Sequence, residues 1–190
     1  MAVKSISIGL ALTFLFVCLA AAEVGVSNLS PDTYQVATIA VDELYYMDRD
    51  YVVISLPAEL DGATLIVTGN GDKNSAGAGF VSFNVDRPTT VYIGHDSRGD
   101  EAKGGVPPEW LSSDFTLVEG WEIEVTDGNM GTFSVWKKDF SAGTVELGGN
   151  TDAPAAGQGS MYIILLTPSL ATAVEPGTKL STMWGALKSE

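Results

Sequence analysis

FVSFNVDRPTTVYIGH, residues 80–95, reads as two short strands on either side of a turn. Phe80, Ser82 and Asn84 fall on one face and Val81, Phe83 and Val85 on the other, which is the period-two pattern of a half-buried strand. Arg87–Pro88 breaks the pattern, and Thr90–His95 resumes it with β-branched and aromatic residues.

The same texture extends in both directions. Upstream, Thr33–Val41, Tyr51–Leu56 and Thr64–Thr68 are strand candidates, separated by Pro57 and Asp61–Gly62. Downstream come Trp121–Thr126, Thr132–Lys137, Thr144–Leu147 and Met161–Thr167, with Asp127–Gly128 and Gly148–Gly149 between them. Met161–Leu166 is apolar throughout, as expected of a strand central to the core. This many short strands without intervening helices predict an all-β fold, an antiparallel β-sandwich of jelly-roll type. Tyr45 and Tyr46 are adjacent, so on a strand one of them would point outward.

The ends of the chain read differently. Lys4, an uncharged apolar run from Ile6 to Leu19, and Ala20-Ala21-Ala22 make residues 1–22 an export signal cleaved before Glu23. Phe16 and Val17 ahead of Cys18 do not fit a lipoprotein acylation site, so Cys18 belongs to the apolar run. Cleavage removes one lysine and no acid, leaving 168 of 190 residues and moving the formal charge from −14 to −15. The mature chain then has no cysteine, which excludes disulfides and thiolate chemistry. Its charge disfavours nucleic acid and anionic lipid. The expectation is a secreted protein with no membrane insertion after cleavage. Residues 23–167 form the sandwich domain, and residues 168–190 a linker followed by a short amphipathic helix. In that helix Leu180, Met183, Trp184 and Leu187 make one apolar stripe.

Catalytic constellations are sparse. His95, the single histidine, is followed by Asp96 and Ser97, but neighbours on a strand point to opposite faces and cannot converge as a relay. Glu122 and Glu124 share a strand face and read as a solvated one. The Gly69–Gly79 loop lacks the phosphate-loop pattern. The chain is therefore expected not to be an enzyme. Asp72, Asn70, Asp96, Asp100 and Asp127 are oxygen donors in glycine-bearing loops, of the kind that hold Ca²⁺, yet Asp and Asn also populate turns for backbone reasons. Arg98-Gly99-Asp100 spells an adhesion tripeptide without supporting context. Two loops exceed hairpin length, Gly69–Gly79 and Asp96–Ser113, and long loops on a rigid sandwich are where binding usually lives. Trp110 lies in the second, behind Pro107-Pro108, where an indole face can stack on a sugar ring. Trp121 and Trp136 sit on strands and read as core, and Asn150–Gly159 reads as plain connection.

YVVISLPAELDGATLIVTGNGDK at Tyr51–Lys73, VYIGHDSR at Val91–Arg98, PPEWL at Pro107–Leu111 and KDFSAGTVELGGN at Lys138–Asn150 together resemble a bacterial extracellular module. Such modules are non-catalytic β-sandwich segments of secreted, polysaccharide-associated proteins, and the resemblance covers most of residues 45–166. It implies Asp48, Arg49, Asp72, Lys73, Asp96, Arg98 and Trp110 as the matching polar and aromatic positions. Gly94 and His95 depart from the bulkier pattern expected there, and no catalytic domain accompanies the module here. The resulting expectation is a module that binds carbohydrate or another matrix polymer. Its ligand-binding residues would be Trp110, Asp96, Arg98, Asp72 and Lys73, with a polysaccharide or surface polymer as partner. The alternative is a structural or surface-assembly subunit of the cell envelope, which would associate with itself.

Overall fold

The computed structural model describes residues 23–169. The expected export signal and the apolar stripe from Leu180 to Leu187 lie outside the described residues. Among the described residues there are ten strands: β1 (Val26–Ser30), β2 (Gln35–Thr38), β3 (Val53–Ser55), β4 (Thr64–Val67), β5 (Val81–Val85), β6 (Thr89–Asp96), β7 (Thr116–Val125), β8 (Thr132–Phe140), β9 (Gly143–Leu147) and β10 (Ile163–Pro168). One short helix, α1 (Glu109–Asp114), precedes β7.

The strands form two antiparallel sheets, as the alternation predicts, but of unequal size. The smaller has the order β1-β5-β9, and the larger β2-β4-β10-β6-β8-β7-β3, curled into a half-barrel. The turn at Arg87–Pro88 therefore carries the chain from one sheet to the other: β5 pairs with β1 and β9, whereas β6 pairs with β10 and β8. β10 lies between β4 and β6, and its apolar run is buried from Met161 to Leu166. Val81, Phe83 and Val85 of the small sheet share one core with Val91, Ile93, Ile164 and Leu166 of the large one. Burying each such side chain is worth about 1.5–3 kcal/mol, so the alternation alone supplies a strong bias toward this register.

Four local expectations are corrected. Residues 26–30 are a strand that the sequence pattern did not reveal, because polar Ser27, Asn28 and Ser30 dilute it on the exposed edge of the small sheet. Thr33–Val41 shrinks to β2, an edge strand whose residues are all exposed. The loop Asp96–Ser113 contains α1, whose start behind Pro107-Pro108 suits proline's fixed φ and missing N–H. Tyr45 and Tyr46 are both fully buried. They lie outside any strand, so alternation does not govern them: Tyr45 packs edge-on to Phe133, and the Tyr46 hydroxyl donates to the Met161 carbonyl.

Antiparallel pairing gathers the strand ends at two poles. One, the loop end, collects the segments after β4, after β6 and before β10. The other, the groove end, collects the starts of β4, β6 and β7 and the ends of β8 and β10.

Candidate functional site

The loop end brings all five sequence-predicted binding residues to one pole and engages most of them with their neighbours. Asp96 ends β6 with its carboxylate fully buried. It accepts from the Arg98 guanidinium at 2.6 Å and 3.0 Å, from the Arg98 backbone N–H at 3.0 Å, and from the N–H groups of Gly159 and Ser160 at 2.7 Å and 3.0 Å. Burial alone would raise its pKa, but these donors outweigh that and hold the carboxyl below the usual aspartate range. Asp72 accepts from the Tyr34 hydroxyl at 2.8 Å, and burial together with that carboxylate pushes the phenol above its ordinary value. Lys73 contributes its carbonyl, which accepts from Asn150 Nδ2 at 2.8 Å, while its ammonium makes no hydrogen bond or ion pair among the described residues.

Trp110 is half-buried on α1. Its indole N–H donates to the Gly149 carbonyl at 3.0 Å, and its ring meets Phe115 and Tyr162 edge-on at 5.8 Å and 5.5 Å. A methyl group on Gly148 would sit 2.3 Å from the indole, and one on Gly149 would sit 2.3 Å from the Ala76 backbone. These glycines let the three loops close on one another. Asn150–Gly159, read as plain connection, is the centre of this closure. Asn150 Nδ2 also reaches the Ser160 carbonyl, and Asp152 accepts from the N–H groups of Gly77 and Gly149. Sequence reasoning missed the role because it depends on contacts with residues about seventy-five positions away.

The carboxylates considered as calcium ligands face donors in the same way. Asp100 accepts from Ser134 Oγ, Asp127 from the Asn129 N–H, and Asp96 from the groups above. No cluster of three or more His, Cys, Asp or Glu side chains suited to a metal occurs among the described residues. The His95-Asp96-Ser97 side chains diverge. The fully buried His95 ring lies 3.8 Å from Asp100, Asp96 holds Arg98, and Ser97 Oγ meets Thr132 Oγ1 and Lys103. The Arg98-Gly99-Asp100 tripeptide is folded inward by those same contacts, with Gly99 buried. Glu122 and Glu124 do lie on an exposed face.

The groove end is open. A groove of about 830 Å³ runs along the strand ends. Register places Tyr92 of β6, Lys137 of β8 and Thr116 of β7 in one cross-strand row, with Thr167, Thr90 and Asp139 in the next. Trp121 joins the first row by stacking on Tyr92, ring centroids 6.0 Å apart and planes 16° from parallel. It gets there through an irregularity in β7 between Leu117 and Glu122, which includes Gly120 at φ 77°. That left-handed turn suits glycine, and such a bulge re-aims the next side chain. The expected strand began at Trp121, whereas β7 runs from Thr116 and carries Gly120 inside it. Trp121, read as core, is half-buried and packs against the core, while its ring also meets Tyr92. Glu59, Asp61 and Gly62 from the turn before β4 form one wall, and Glu23 and Val24 line the groove at the N-terminal side. Lys138 pairs with Asp114 at 3.0 Å, and Asp139 accepts from the Thr90 and Ser169 hydroxyls.

No protein-family model matches the chain, and no curated protein matches it. Solved structures do share its fold. A β-glucuronidase from glycoside hydrolase family 2 superposes with a TM-score of 0.62 at 22% identity over 75% of this chain. The match spans 14% of that enzyme's length. A second, an enzyme of glycoside hydrolase family 138 targeting pectin rhamnogalacturonan II, aligns at a TM-score of 0.48 and 13% identity, over 80% of this chain and 18% of the other. The first likeness establishes the β-sandwich as a fold that occurs within a larger glycosidase.

Proposed function

We propose that this chain is a secreted, non-catalytic carbohydrate-binding module whose glycan site is the groove at the strand ends. The observation that carries the reading is the parallel Tyr92–Trp121 pair beside Lys137 in that open groove. Aromatic side chains present a large apolar area with a polar tip, which suits one face of a sugar ring, and the neighbouring hydroxyl, ammonium and carboxylate groups suit its hydroxyls. The glycosidase setting of the shared fold supports the same ligand class. The non-catalytic part of the reading is supported by the sealed position of His95 and by the outward-facing Glu122 and Glu124. The loop-end residues Asp96, Arg98, Asp72, Lys73 and Trp110 serve, in this reading, to hold three loops together.

The test is affinity electrophoresis of the mature protein through gels containing soluble polysaccharides, comparing it with Trp121→Ala and Tyr92→Ala. Retention by at least one polymer that both variants lose supports the groove. Retention that survives both substitutions but is lost in Lys73→Ala returns the site to the loop end. Intact-mass measurement of exported protein should give a chain beginning at Glu23.

A second reading, a self-assembling surface subunit, has its own observation. Leu44, Ile54, Val41 and Met47 are exposed apolar residues close in sequence to the edge strand β3, and Leu44 bridges to Val52 beside it. Sedimentation showing a concentration-dependent oligomer that Ile54→Lys dissolves would favour it.

A further inference from the structure

We infer that the groove selects uncharged, hydroxyl-rich polysaccharide and rejects polyuronates. This rests on the groove being the glycan site. The argument is the balance of charge around the aromatic pair. Lys138 and Asp114 neutralise each other. Lys137 is the remaining cation lining the groove among the described residues, and Glu59, Asp61 and Asp139 line it too. Glu59 and Asp61 are exposed and carry no side-chain hydrogen bond or ion pair among the described residues. Glu23 does not change the outcome: if the chain is cut before it, the new ammonium offsets only its own carboxylate. A carboxylate accepts hydrogen bonds and has none to donate, so it recognises sugar hydroxyls and repels a uronate. β4, which follows the wall, and β6, which carries Tyr92, lie two strand spacings apart, about 10 Å and so comparable with the screening length of about 8–10 Å at ordinary salt. The wall therefore acts on a ligand at Tyr92 most strongly in low salt. The formal charge of −14 over the whole chain adds a long-range field of the same sign.

The probes are neutral glucan, xylan, mannan and galactan set against polygalacturonate and alginate. The neutral polymer that is retained is then tested after partial carboxymethylation and, as a control for bulk, after hydroxyethylation to the same degree. Neutral polymer should be retained in a Trp121-dependent way. Carboxymethylation should weaken retention by about tenfold or more in low salt, with recovery as salt is raised, while hydroxyethylation leaves it nearly unchanged. The double variant Glu59→Gln/Asp61→Asn, both on the exposed surface, should narrow the gap between the neutral and carboxymethylated forms. Tighter Trp121-dependent binding of polyuronate than of any neutral polymer overturns this inference and leaves the groove reading standing. A carboxymethylation penalty unchanged in the double variant also overturns it. Trp121-independent retention, or none by any polymer, removes the groove reading and this inference with it.

Discussion

The two ends of the sandwich place similar residue types in different surroundings. At the loop end, an aspartate, an arginine and a tryptophan that look like binding groups are engaged by partners within the protein. Asp96 is surrounded by N–H donors, and the Trp110 indole N–H is held by Gly149. At the groove end, a tyrosine, a tryptophan and a lysine in register present groups that the fold leaves open. A buried polar group without a partner is costly. At the loop end the Asp96 carboxylate and the Trp110 indole N–H are satisfied internally, while both His95 nitrogens, Asn150 Oδ1 and Gln158 Oε1 are buried without a hydrogen bond among the described residues. Residue type alone does not separate the two ends; what differs is how the carboxylate and the indole are held.

The largest expected effect that would break this contrast is on stability. Asp96→Ala removes the acceptor shared by Arg98, Gly159 and Ser160 and should cost about 3 kcal/mol in urea unfolding. That lies at the low end for a broken buried pair because Arg98 reaches solvent. If this variant were as stable as the parent, the donors around Asp96 would not hold the loop end together as described here. Next, Trp110→Ala should lower stability by about 2–3 kcal/mol through lost packing on Phe115 and Tyr162, with polysaccharide retention unchanged once the protein is folded. Trp121→Ala should show the reverse balance: a loss of about 2 kcal/mol in polymer affinity, roughly thirtyfold, with a smaller loss of stability. If the two tryptophan variants exchanged these outcomes, the site would belong at the loop end.

Acid sharpens the same comparison. The Asp96 carboxyl is held below its unfolded value of about 3.9, so its contribution is complete above that pH and is lost as pH falls through the lower folded value. Urea midpoints should therefore drop as pH falls below about 4, and Asp96→Asn should flatten that drop. Asp86 is lowered to about 2 by hydrogen bonds from Arg87, but it is fully exposed and solvent screening leaves it little part in the effect. The smallest effect is expected at Glu122→Gln. On the open face of β7 it should shift stability by less than about 0.5 kcal/mol, and a larger change would reveal a contact this geometry does not contain.

How far the fold was legible follows from the range of each cause. Alternation in Val81–Val85 and the unbroken apolar run at Met161–Leu166 are local patterns, and they set strand identity and the buried face correctly. β1 escaped because an edge strand need bury little, and α1 escaped because six residues are too short to show a helical period. The five residues read as binding groups lie at one pole in the structure, yet their internal commitments were invisible in the sequence. Whether Asp96 is free or saturated depends on Gly159 and Ser160, more than sixty residues away. Trp121, read as core, is half-buried and packs against the core, but the bulge at Gly120 that sets it onto Tyr92 was not legible in the sequence.

By itself the sequence determined the all-β class, the acidic surface, and which residues alternate into the core, because those depend on composition and a two-residue period. Only the tertiary structure decided the unequal division into three and seven strands, the change of sheet at Arg87–Pro88, and which end of the sandwich stays open. Those are questions of long-range pairing. A turn of given composition can close a hairpin or cross between sheets, and a polar side chain can bind a ligand or its own backbone. The choice falls to whichever arrangement leaves the fewest buried groups unpaired across the whole domain.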